Sequence, residues 1–275
     1  MADIFRAACV QLNSGNEIDA NVAAAVSLIR AAHADGADFI LTPETTSLME
    51  MRSKFLFEKI SEEKDDRALA TFRALANELS VWLLIGSLAI KLSQDKVANR
   101  SFLIAPDGSI AARYDKIHMF DVDLPGGESY RESKNYQPGG SLQLATLPWG
   151  TVGLSICYDL RFPALYRGLA QGGAQFLTVP AAFTRVTGEA HWHILLRSRA
   201  IENGCYLFAP AQCGTHDNGR QTYGHSLIID PWGEVLAEAG VEAGFICADI
   251  DPAAVAEARG RVPSLQHDRP FSLNS

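Results

Sequence analysis

The sequence predicts a mixed α/β fold, and three observations support this prediction. Short apolar runs alternate along the chain with segments whose apolar residues recur at helical spacing, which is the pattern of β-α-β units. Tight turns such as Asp107-Gly108 add antiparallel hairpins, so parallel and antiparallel strands are expected to mix. The 47% hydrophobic and 20% charged residues are typical of a globular protein with a large core. Because no linker or low-complexity stretch divides the 275 residues, we predict a single domain over 1–275.

The first part of the chain alternates strands with helices. Val22, Val26 and Ile29 recur at helical spacing and define one apolar helix face. Asp66 precedes a second periodic segment and is its predicted N-cap. The predicted strands of this part are 5–12, 37–44 and 81–90, and the predicted helices are 21–34 and 66–79.

The second part mixes hairpins with β-α-β units. The segment 119–140 is rich in Gly, Pro and charged residues and has no periodicity, and a loop of that length in a compact domain is usually functional. The predicted hairpins are 101–118, 141–157 and 225–239, and the further strands are 175–183, 206–213 and 245–250. The predicted helices are 163–171, 191–203 and a short one after 250. The residues alone leave open whether these strands form one sheet or two.

Charge and cysteine content argue against several classes of function. The formal net charge of −8, without a cluster of Lys and Arg, argues against nucleic acid as a partner. No stretch reaches the roughly 18 uninterrupted apolar residues of a membrane span. The N-terminal MADIFRAAC lacks the basic start of a signal peptide. Five cysteines without a CxxC pair are expected to be reduced thiols, which predicts a cytoplasmic location.

Neither a metal nor an organic cofactor is expected. Zinc ligands drawn from Cys205, Cys213, His216 and His225 would have none of the usual spacings. The two histidines of HWH at 191–193 would point to roughly opposite sides of a helix. No GxGxxG or Walker loop supports nucleotide binding.

Cys157 is the candidate nucleophile. It ends the strand-like run GTVGLSIC, and the next residues turn into a helix, so the thiol is expected at an exposed sheet edge near a helix start. The positive end of a helix favours a thiolate and a developing oxyanion. The alternative is a buried cysteine that fills the core as a small apolar residue. A nucleophile also needs a base, and none of the seven histidines has a context that marks it for this role.

Glu44 and Lys116 occupy matching positions at the ends of two other predicted strands. Glu44 ends FILTPE, where Pro43 stops the strand, and Lys116 follows SIAARYD just before the long segment. The carboxyl ends of strands are where α/β proteins place reactive groups. Each residue taken alone is better explained as a solvated surface residue. The coincidence of Glu44, Lys116 and Cys157 at three strand ends predicts a catalytic set of carboxylate, ammonium and thiol.

Four segments resemble the nitrilase (carbon–nitrogen hydrolase) superfamily. They are TPE at 42–44, YDKIHMFDVDLPGG at 114–127, SICYDLRFP at 155–163 and TGEAHWHILLRSRAIEN at 187–203. The resemblance implies an α-β-β-α sandwich, hence two sheets, and a homodimer. It implies that Glu44, Lys116 and Cys157 are the triad that hydrolyses non-peptide carbon–nitrogen bonds. The family also has a second glutamate in the long segment, which Glu132 matches better than Glu128.

In the implied mechanism, Glu44 takes the proton of Cys157, and the thiolate attacks a primary amide to give a thioester and ammonia. Lys116 and the backbone N–H of Tyr158 stabilise the oxyanion. Glu132 is expected to accept a hydrogen bond from Lys116 or from the substrate amide. A Glu44 buried beside a thiol is expected to have a raised pKa, which suits both giving and taking a proton.

The expected partner is a small-molecule amide. DLRFP after the nucleophile and AFTxxTGxAHW downstream resemble the branch of the superfamily that acts on amides of 2-oxo acids. Deaminated glutathione is the first expected substrate, and 2-oxoglutaramate or 2-oxosuccinamate is the alternative. These substrates are anions, so Arg161 is the candidate for binding the carboxylate, with an ion pair that anchors the turn as its other reading. Phe183 and Thr187 are candidate pocket walls, with core packing as the alternative. An N-carbamoyl amino acid amidohydrolase, a nitrilase proper and an inactive dimeric interaction module stay open.

Overall fold

The computed structural model describes residues 3–125 and 127–273. The ends of the predicted domain at 1–2 and 274–275, and Gly126 of the predicted long segment, lie outside the described residues. In chain order the strands are β1 (Phe5–Gln11), β2 (Phe39–Leu41), β3 (Trp82–Lys91), β4 (Val97–Ile104), β5 (Ile110–Asp115), β6 (Asp121–Asp123), β7 (Ser129–Arg131), β8 (Gln143–Leu147), β9 (Gly150–Leu154), β10 (Phe176–Thr178), β11 (Tyr206–Ala209), β12 (Cys213–Thr215), β13 (Gln221–Tyr223), β14 (Leu227–Ile229), β15 (Val235–Glu238) and β16 (Gly244–Ile250). The helices are α1 (Ile18–Ala34), α2 (Ser53–Lys59), α3 (Arg67–Leu79), α4 (Pro163–Gln171), α5 (Arg185–Asn203) and α6 (Ala253–Arg261).

Two six-stranded sheets form the centre of the molecule. The first has the order β16-β1-β2-β3-β4-β5, and the second has the order β15-β14-β11-β10-β9-β8. Three adjacent strands are parallel in each sheet: β1, β2 and β3 in the first, and β9, β10 and β11 in the second. The other neighbouring pairs are antiparallel. Both sheets are therefore mixed, as predicted.

The two sheets pack face to face, with helices on both outer faces. Ala7 and Cys9 of β1 belong to the core between the sheets, whereas Ala8 belongs to the core under α1 and α3, because successive strand residues point to opposite faces. Phe39 of β2 and Phe208 of β11 meet edge to face across the sheets, with ring centroids 5.9 Å apart. Helices α4 and α5 cover the second sheet. This is the α-β-β-α sandwich that the resemblance implies.

The structure extends two predicted helices and adds one. Helix α1 begins at Ile18 and α5 at Arg185, both before the predicted starts. The Val, Thr and Gly residues at the beginning of α5 have low helix propensity and conceal it. Helix α2 is too short to show helical spacing in the sequence. The predicted N-cap is confirmed, since Asp66 Oδ1 accepts a hydrogen bond of 2.7 Å from the Leu69 N–H. Among the described residues, no helix combines the length and apolar character needed to cross a membrane.

Two short ribbons, absent from the prediction, border the reactive strand ends. Strands β6 and β7 pair antiparallel within the predicted loop, with Val122 opposite Tyr130, and a 3-10 turn at Glu132–Lys134 follows. Strands β12 and β13 form the second ribbon. Three-residue strands are too short to show an alternating pattern, which is why the sequence did not reveal them.

Candidate active site

Glu44 is buried in a sharp turn after β2. The following residue, Thr45, has a φ of 56°, in the left-handed region that non-glycine residues rarely adopt. Only 4% of Glu44 is exposed, and both carboxylate oxygens are engaged. Oε1 accepts hydrogen bonds of 2.9 Å from Asn99 Nδ2 and Lys116 Nζ, and Oε2 accepts one of 2.9 Å from the Ala182 N–H. Donors from both halves of the sandwich therefore hold this carboxylate in one orientation.

Lys116, directly after β5, places its ammonium between two carboxylates. Its side chain is 2% exposed. Besides the contact with Glu44 Oε1, Nζ donates to Glu132 Oε1 at 3.0 Å and to Oε2 at 2.8 Å. A buried charge requires such partners, because an unpaired ammonium in the interior is very unfavourable.

Glu132 reaches the site from the segment that follows β7. Its Oε2 accepts a hydrogen bond of 2.7 Å from the Phe120 N–H, and its side chain is 14% exposed. Glu128 instead accepts a hydrogen bond of 2.9 Å from the Tyr130 hydroxyl. The structure thus brings Glu132, and not Glu128, to Lys116.

Cys157 follows β9 in a strained turn. Its φ of 49° lies in the left-handed region, and its N–H donates to the Pro180 carbonyl at 2.9 Å. The residue is 6% exposed and borders the cavity described below, so the expectation of an exposed sheet-edge thiol is wrong. Glu44 and Lys116, which follow strands of the first sheet, lie beside the thiol and contribute to its burial. The predicted direct entry into a helix is also corrected: a 3-10 helix at Cys157–Arg161 precedes α4.

The pKa shifts define the resting ionisation of the triad. Burial raises the pKa of the Cys157 thiol well above its ordinary 9.0, and the charge of Glu44 acts in the same direction. Burial also favours a raised pKa for Glu44, but the charge and hydrogen bond of Lys116 outweigh it, and the pKa is lowered. The prediction of a raised Glu44 pKa is therefore wrong, because it left out the ammonium at 2.9 Å. Burial opposes ionisation of Lys116, yet Glu132 and Glu44 raise its pKa. The resting site holds a thiol, a carboxylate and an ammonium.

A cavity of about 380 Å³ opens onto the triad and has the size of a small-ligand site. Tyr158, Phe183 and Thr187 line it, as expected for the predicted substrate-binding residues. Arg161 does not. Its guanidinium lies outside the cavity, 5.3 Å from the ring centroid of Phe183, and its Nη2 is 3.3 Å from His191 Nδ1. The structure therefore places Arg161, at the end of the 3-10 turn after Cys157, outside the lining of the cavity, and its contact with the substrate stays a prediction.

Arg220, which the sequence reasoning missed, supplies a cation to the cavity. It follows β12 and lines the cavity, with its guanidinium 5.1 Å from the ring centroid of Tyr130. The guanidinium donates to the Ala182 carbonyl and lies 4.0 Å from the sulfur of Met51. Its Nε is buried and has no hydrogen-bond partner among the described residues. The sequence gives no signal for this position, because the short ribbon that carries it is not visible there.

Asn99 of β4 is the second residue that sequence reasoning missed. Its Nδ2 donates to Glu44 Oε1 at 2.9 Å and to Glu132 Oε1 at 3.1 Å, so one amide joins the two carboxylates. Its Oδ1 is buried and lacks a partner in the described part of the chain. An asparagine inside the strand VANRSFLI was an available signal, since Asn is depleted in strands.

Asp159 fixes the turn that carries Cys157. It is fully buried and accepts hydrogen bonds from the Ile156 N–H at 2.9 Å and the Tyr114 hydroxyl at 2.7 Å. The His118 Nδ1 lies 2.7 Å from its other oxygen, and the His118 ring stacks on Phe162 at a centroid distance of 3.5 Å. His118, the histidine nearest a reactive strand end in the sequence, therefore has a structural partner outside the triad.

Comparison with known proteins agrees with this geometry. The chain is 40% identical over 272 residues to a deaminated glutathione amidase of Synechocystis sp., covering 96% of this chain and 97% of that protein. It is 37% identical over 265 residues to a human omega-amidase, covering 96% and 95% of the two chains. A solved amidase of Nesterenkonia sp. AN1, from the nitrilase superfamily, has a TM-score of 0.82 and 26% identity over 96% of this chain and 94% of its own.

That Nesterenkonia structure carries the acetamide moiety of fluoroacetamide, covalently added at its active-site cysteine. The profile of the carbon–nitrogen hydrolase family matches residues 6–260, which is nearly the whole chain. Together with the sandwich of two mixed sheets, these matches establish that the chain belongs to the carbon–nitrogen hydrolase family.

Proposed function

We propose that the chain is a cysteine-dependent amidase that hydrolyses the amide of a small 2-oxo acid through a thioester on Cys157. The observation that carries this proposal is the convergence of Cys157, Glu44 and Lys116 on one buried cavity. The relatives named as amidases, and the covalent adduct at the cysteine of the Nesterenkonia amidase, support it.

The first half-reaction forms the thioester. Glu44 accepts the proton of the Cys157 thiol as the sulfur bonds to the amide carbon, and the carbonyl π electrons move to oxygen. Because the resting pKa of the thiol lies above that of the carboxyl, the transfer is unfavourable until the oxyanion forms beside a cation. The Lys116 ammonium and the N–H of Tyr158 supply that stabilisation. The carbonyl then re-forms, the C–N bond breaks, and protonated Glu44 gives its proton to the departing nitrogen.

The second half-reaction hydrolyses the thioester. Glu44, again a carboxylate, takes a proton from water, and the oxygen of that water attacks the thioester carbon. The C–S bond breaks, the acid leaves, and Glu44 returns a proton to the Cys157 sulfur. The net charge of the site stays at −1 throughout. The Glu132 carboxylate balances the Lys116 ammonium, and the remaining negative charge is shared as the proton moves between Cys157 and Glu44. Glu132 therefore acts by positioning Lys116.

We assign substrate carboxylate binding to Arg220 in place of Arg161. Arg220 lines the cavity, and its positive charge contributes to the lowered pKa of Glu44, so its guanidinium lies close to the reacting groups. A carboxylate on a 2-oxo acid suits a guanidinium, because charge-assisted hydrogen bonds are among the strongest in proteins. Phe183 and Thr187 also line the cavity, with Thr187 Oγ1 held 2.8 Å from Thr184 Oγ1.

Deaminated glutathione is the first substrate we propose, and 2-oxoglutaramate is the second. The Synechocystis relative supports the first and the human omega-amidase the second. The two differ in leaving group. Deaminated glutathione has no primary amide, so it would release the amine of cysteinylglycine, and the predicted ammonia would come from 2-oxoglutaramate alone. Both reactions yield 2-oxoglutarate.

The test compares 2-oxoglutarate release from the two amides at equal enzyme concentration. We expect turnover of both, with a higher kcat/KM for deaminated glutathione and none in Cys157→Ala. A large preference for 2-oxoglutaramate would overturn the first substrate. Hydrolysis of an N-carbamoyl amino acid or a nitrile without turnover of either amide would overturn the class, and inactivity on all of them would favour the interaction module. Activity retained by Cys157→Ala would exclude the thioester mechanism.

We further propose that the chain is a cytoplasmic homodimer. Ile194 and Ile201 on α5, and Trp232 nearby, are more than half exposed, and so large an apolar area favours association with a second copy. All five cysteines are free thiols, which fits a reducing compartment. Light scattering after size exclusion should give a mass near 60 kDa, about twice the 29.8 kDa of one chain.

A further inference from the structure

We propose that His193, His225 and Glu238 form a binding site for a borderline divalent metal ion, with Zn²⁺ as the representative. Among the described residues, they are the one group of His, Cys, Asp and Glu side chains whose ligand atoms all lie within 4.8 Å of one another. Of the four zinc ligands considered from the sequence, His225 alone belongs to it. The group lies outside the lining of the catalytic cavity.

The three ligand atoms converge from three separate elements. His193 lies on α5, His225 lies between β13 and β14, and Glu238 ends β15. His193 Nε2 is 3.0 Å and His225 Nδ1 is 2.8 Å from the same oxygen, Glu238 Oε1. The side chains are 33%, 24% and 39% exposed, respectively, so solvent can fill the remaining coordination positions. Because the ligands come from separate elements, a bound ion would connect α5 to the β14–β15 hairpin.

The surrounding contacts hold His225 in place before any ion binds. Its φ of 53° is left-handed, its N–H donates to the Gly240 carbonyl at 3.0 Å, and its own carbonyl accepts from Trp192 Nε1 at 2.8 Å. The Tyr223 ring stacks on the imidazole, with a centroid distance of 4.4 Å. A fixed ligand lowers the entropy lost on binding.

The donor set selects the class of ion. Two imidazole nitrogens and one carboxylate oxygen match catalytic-type zinc sites, which keep an open position for water, and do not suit Mg²⁺ or Ca²⁺, which prefer oxygen ligands. With bonds of about 2.0–2.1 Å, ligand atoms of a tetrahedral zinc site lie about 3.3 Å apart. The observed 2.8 and 3.0 Å need to open by only a few tenths of an ångström. The ion would take the place of the two protons that now face Oε1.

The site is linked to the wall of the catalytic cavity. Trp192, which donates to the His225 carbonyl, packs against Phe183 at a centroid distance of 5.0 Å, and Phe183 lines the cavity. An ion that fixes His225 to α5 would therefore stiffen this wall. Stability is the direct readout, and it does not depend on the proposed reaction.

The experiment titrates ZnCl₂ into untagged protein by calorimetry, in a Cys157→Ala background that removes the thiol of the catalytic cavity as a competing ligand. We expect one ion per chain. His193→Ala and Glu238→Gln should each weaken binding at least tenfold, because loss of a ligand should exceed the roughly 10- to 100-fold effect of outer partners. His191→Ala is the matched control, since it alters an exposed histidine of the same helix outside the group.

Thermal unfolding with and without ZnCl₂ supplies the second readout. Zn²⁺ should raise the melting temperature of the parent and of His191→Ala, and raise that of His193→Ala clearly less. The metal-free melting temperatures verify that each variant is folded. Absence of binding to the folded parent would overturn the proposal, as would equal affinity in His193→Ala and His191→Ala; either result would show that the group is a hydrogen-bond network only.

Discussion

The substitution Glu132→Gln is expected to impair catalysis while preserving the size of the side chain. Three donors converge on this carboxylate: the Lys116 ammonium at 2.8 and 3.0 Å, the Phe120 N–H at 2.7 Å and Asn99 Nδ2 at 3.1 Å. A glutamine offers one carbonyl oxygen and turns an NH₂ group toward the others. At least one donor therefore loses its acceptor, and Lys116 loses a full negative charge.

The magnitude follows from the distance. Two unit charges 2.8 Å apart attract by about 6 kcal/mol at an effective dielectric constant of about 20. Glu44 stays beside Lys116 and its repulsion with Glu132 disappears, so the net loss is smaller. We expect the free energy of unfolding to fall by about 2–3 kcal/mol, below the roughly 3–5 kcal/mol for a buried charge left without a partner. We expect kcat to fall by roughly 100-fold, the low end for an impaired oxyanion donor.

The assay measures kcat and KM for 2-oxoglutarate release, together with urea unfolding. Glu128→Gln is the matched control, because Glu128 lies in the same segment but bonds to the Tyr130 hydroxyl. The unfolding data also have a predicted pH dependence. Because the pKa of Lys116 is raised on folding, its stabilising contribution is present below the unfolded value of 10.5 and is lost as pH rises through the folded value, which should be lower in Glu132→Gln. Equal kcat and equal unfolding free energy in Glu132→Gln and wild type would refute this reasoning.

Three further predictions concern the cavity. Arg220→Gln should raise KM for 2-oxo acid amides by roughly 10- to 100-fold, the equivalent of one charge-assisted hydrogen bond, and should change KM for a neutral amide less. Arg161→Gln is the control in the same steady-state assay, and an equal effect of the two substitutions would contradict the assignment of Arg220. In the pH profile of kcat/KM, the acid limb should lie below pH 4.5 and the alkaline limb above pH 9.0, because the pKa of Glu44 is lowered and that of Cys157 is raised. A limb near neutrality, measured on folded enzyme, would argue against Glu44 and Cys157 as the base and the nucleophile. Asn99→Leu removes hydrogen bonds to two carboxylates, each worth roughly 1.5–3 kcal/mol, and should lower the free energy of unfolding by about 3 kcal/mol. Urea unfolding measures this loss, and an unchanged free energy would show that Asn99 is dispensable.

The sequence made the juxtaposition of Glu44, Lys116 and Cys157 predictable because each of them follows a strand. Glu44 and Lys116 follow strands of the first sheet, and Cys157 follows a strand of the second. Strand ends are visible as the points where apolar runs stop, and a sandwich of two sheets brings such ends together. The motifs around these residues then identified the family, including the choice of Glu132 within a segment that has no periodicity.

The features of the site that the sequence did not reveal depend on where side chains point and on contacts between residues far apart in the chain. Arg161 is close to Cys157 along the chain, but the 3-10 turn sends it outside the cavity, whereas Arg220 reaches the cavity from a distant ribbon. The pKa of Glu44 was mispredicted because burial was weighed without the contact to Lys116. The group of His193, His225 and Glu238 could not be predicted from the sequence, because its members come from three separate elements.

Backbone strain unites the two sites. Four non-glycine residues of the described chain have a positive φ: Thr45, Ser80, Cys157 and His225. Ser80 caps helix α3, where a left-handed residue is ordinary. Thr45 adjoins Glu44, the proposed base, Cys157 is the proposed nucleophile, and His225 belongs to the proposed metal group. Such a conformation costs about 1–3 kcal/mol and persists only where surrounding contacts over-determine it. Hydrogen bonds meet that condition: the Thr45 N–H donates to Ser87 Oγ at 2.9 Å, and the Cys157 and His225 N–H groups donate to backbone carbonyls at 2.9 and 3.0 Å. The strained backbone at these turns therefore lowers stability but orients side chains that a relaxed backbone would point elsewhere.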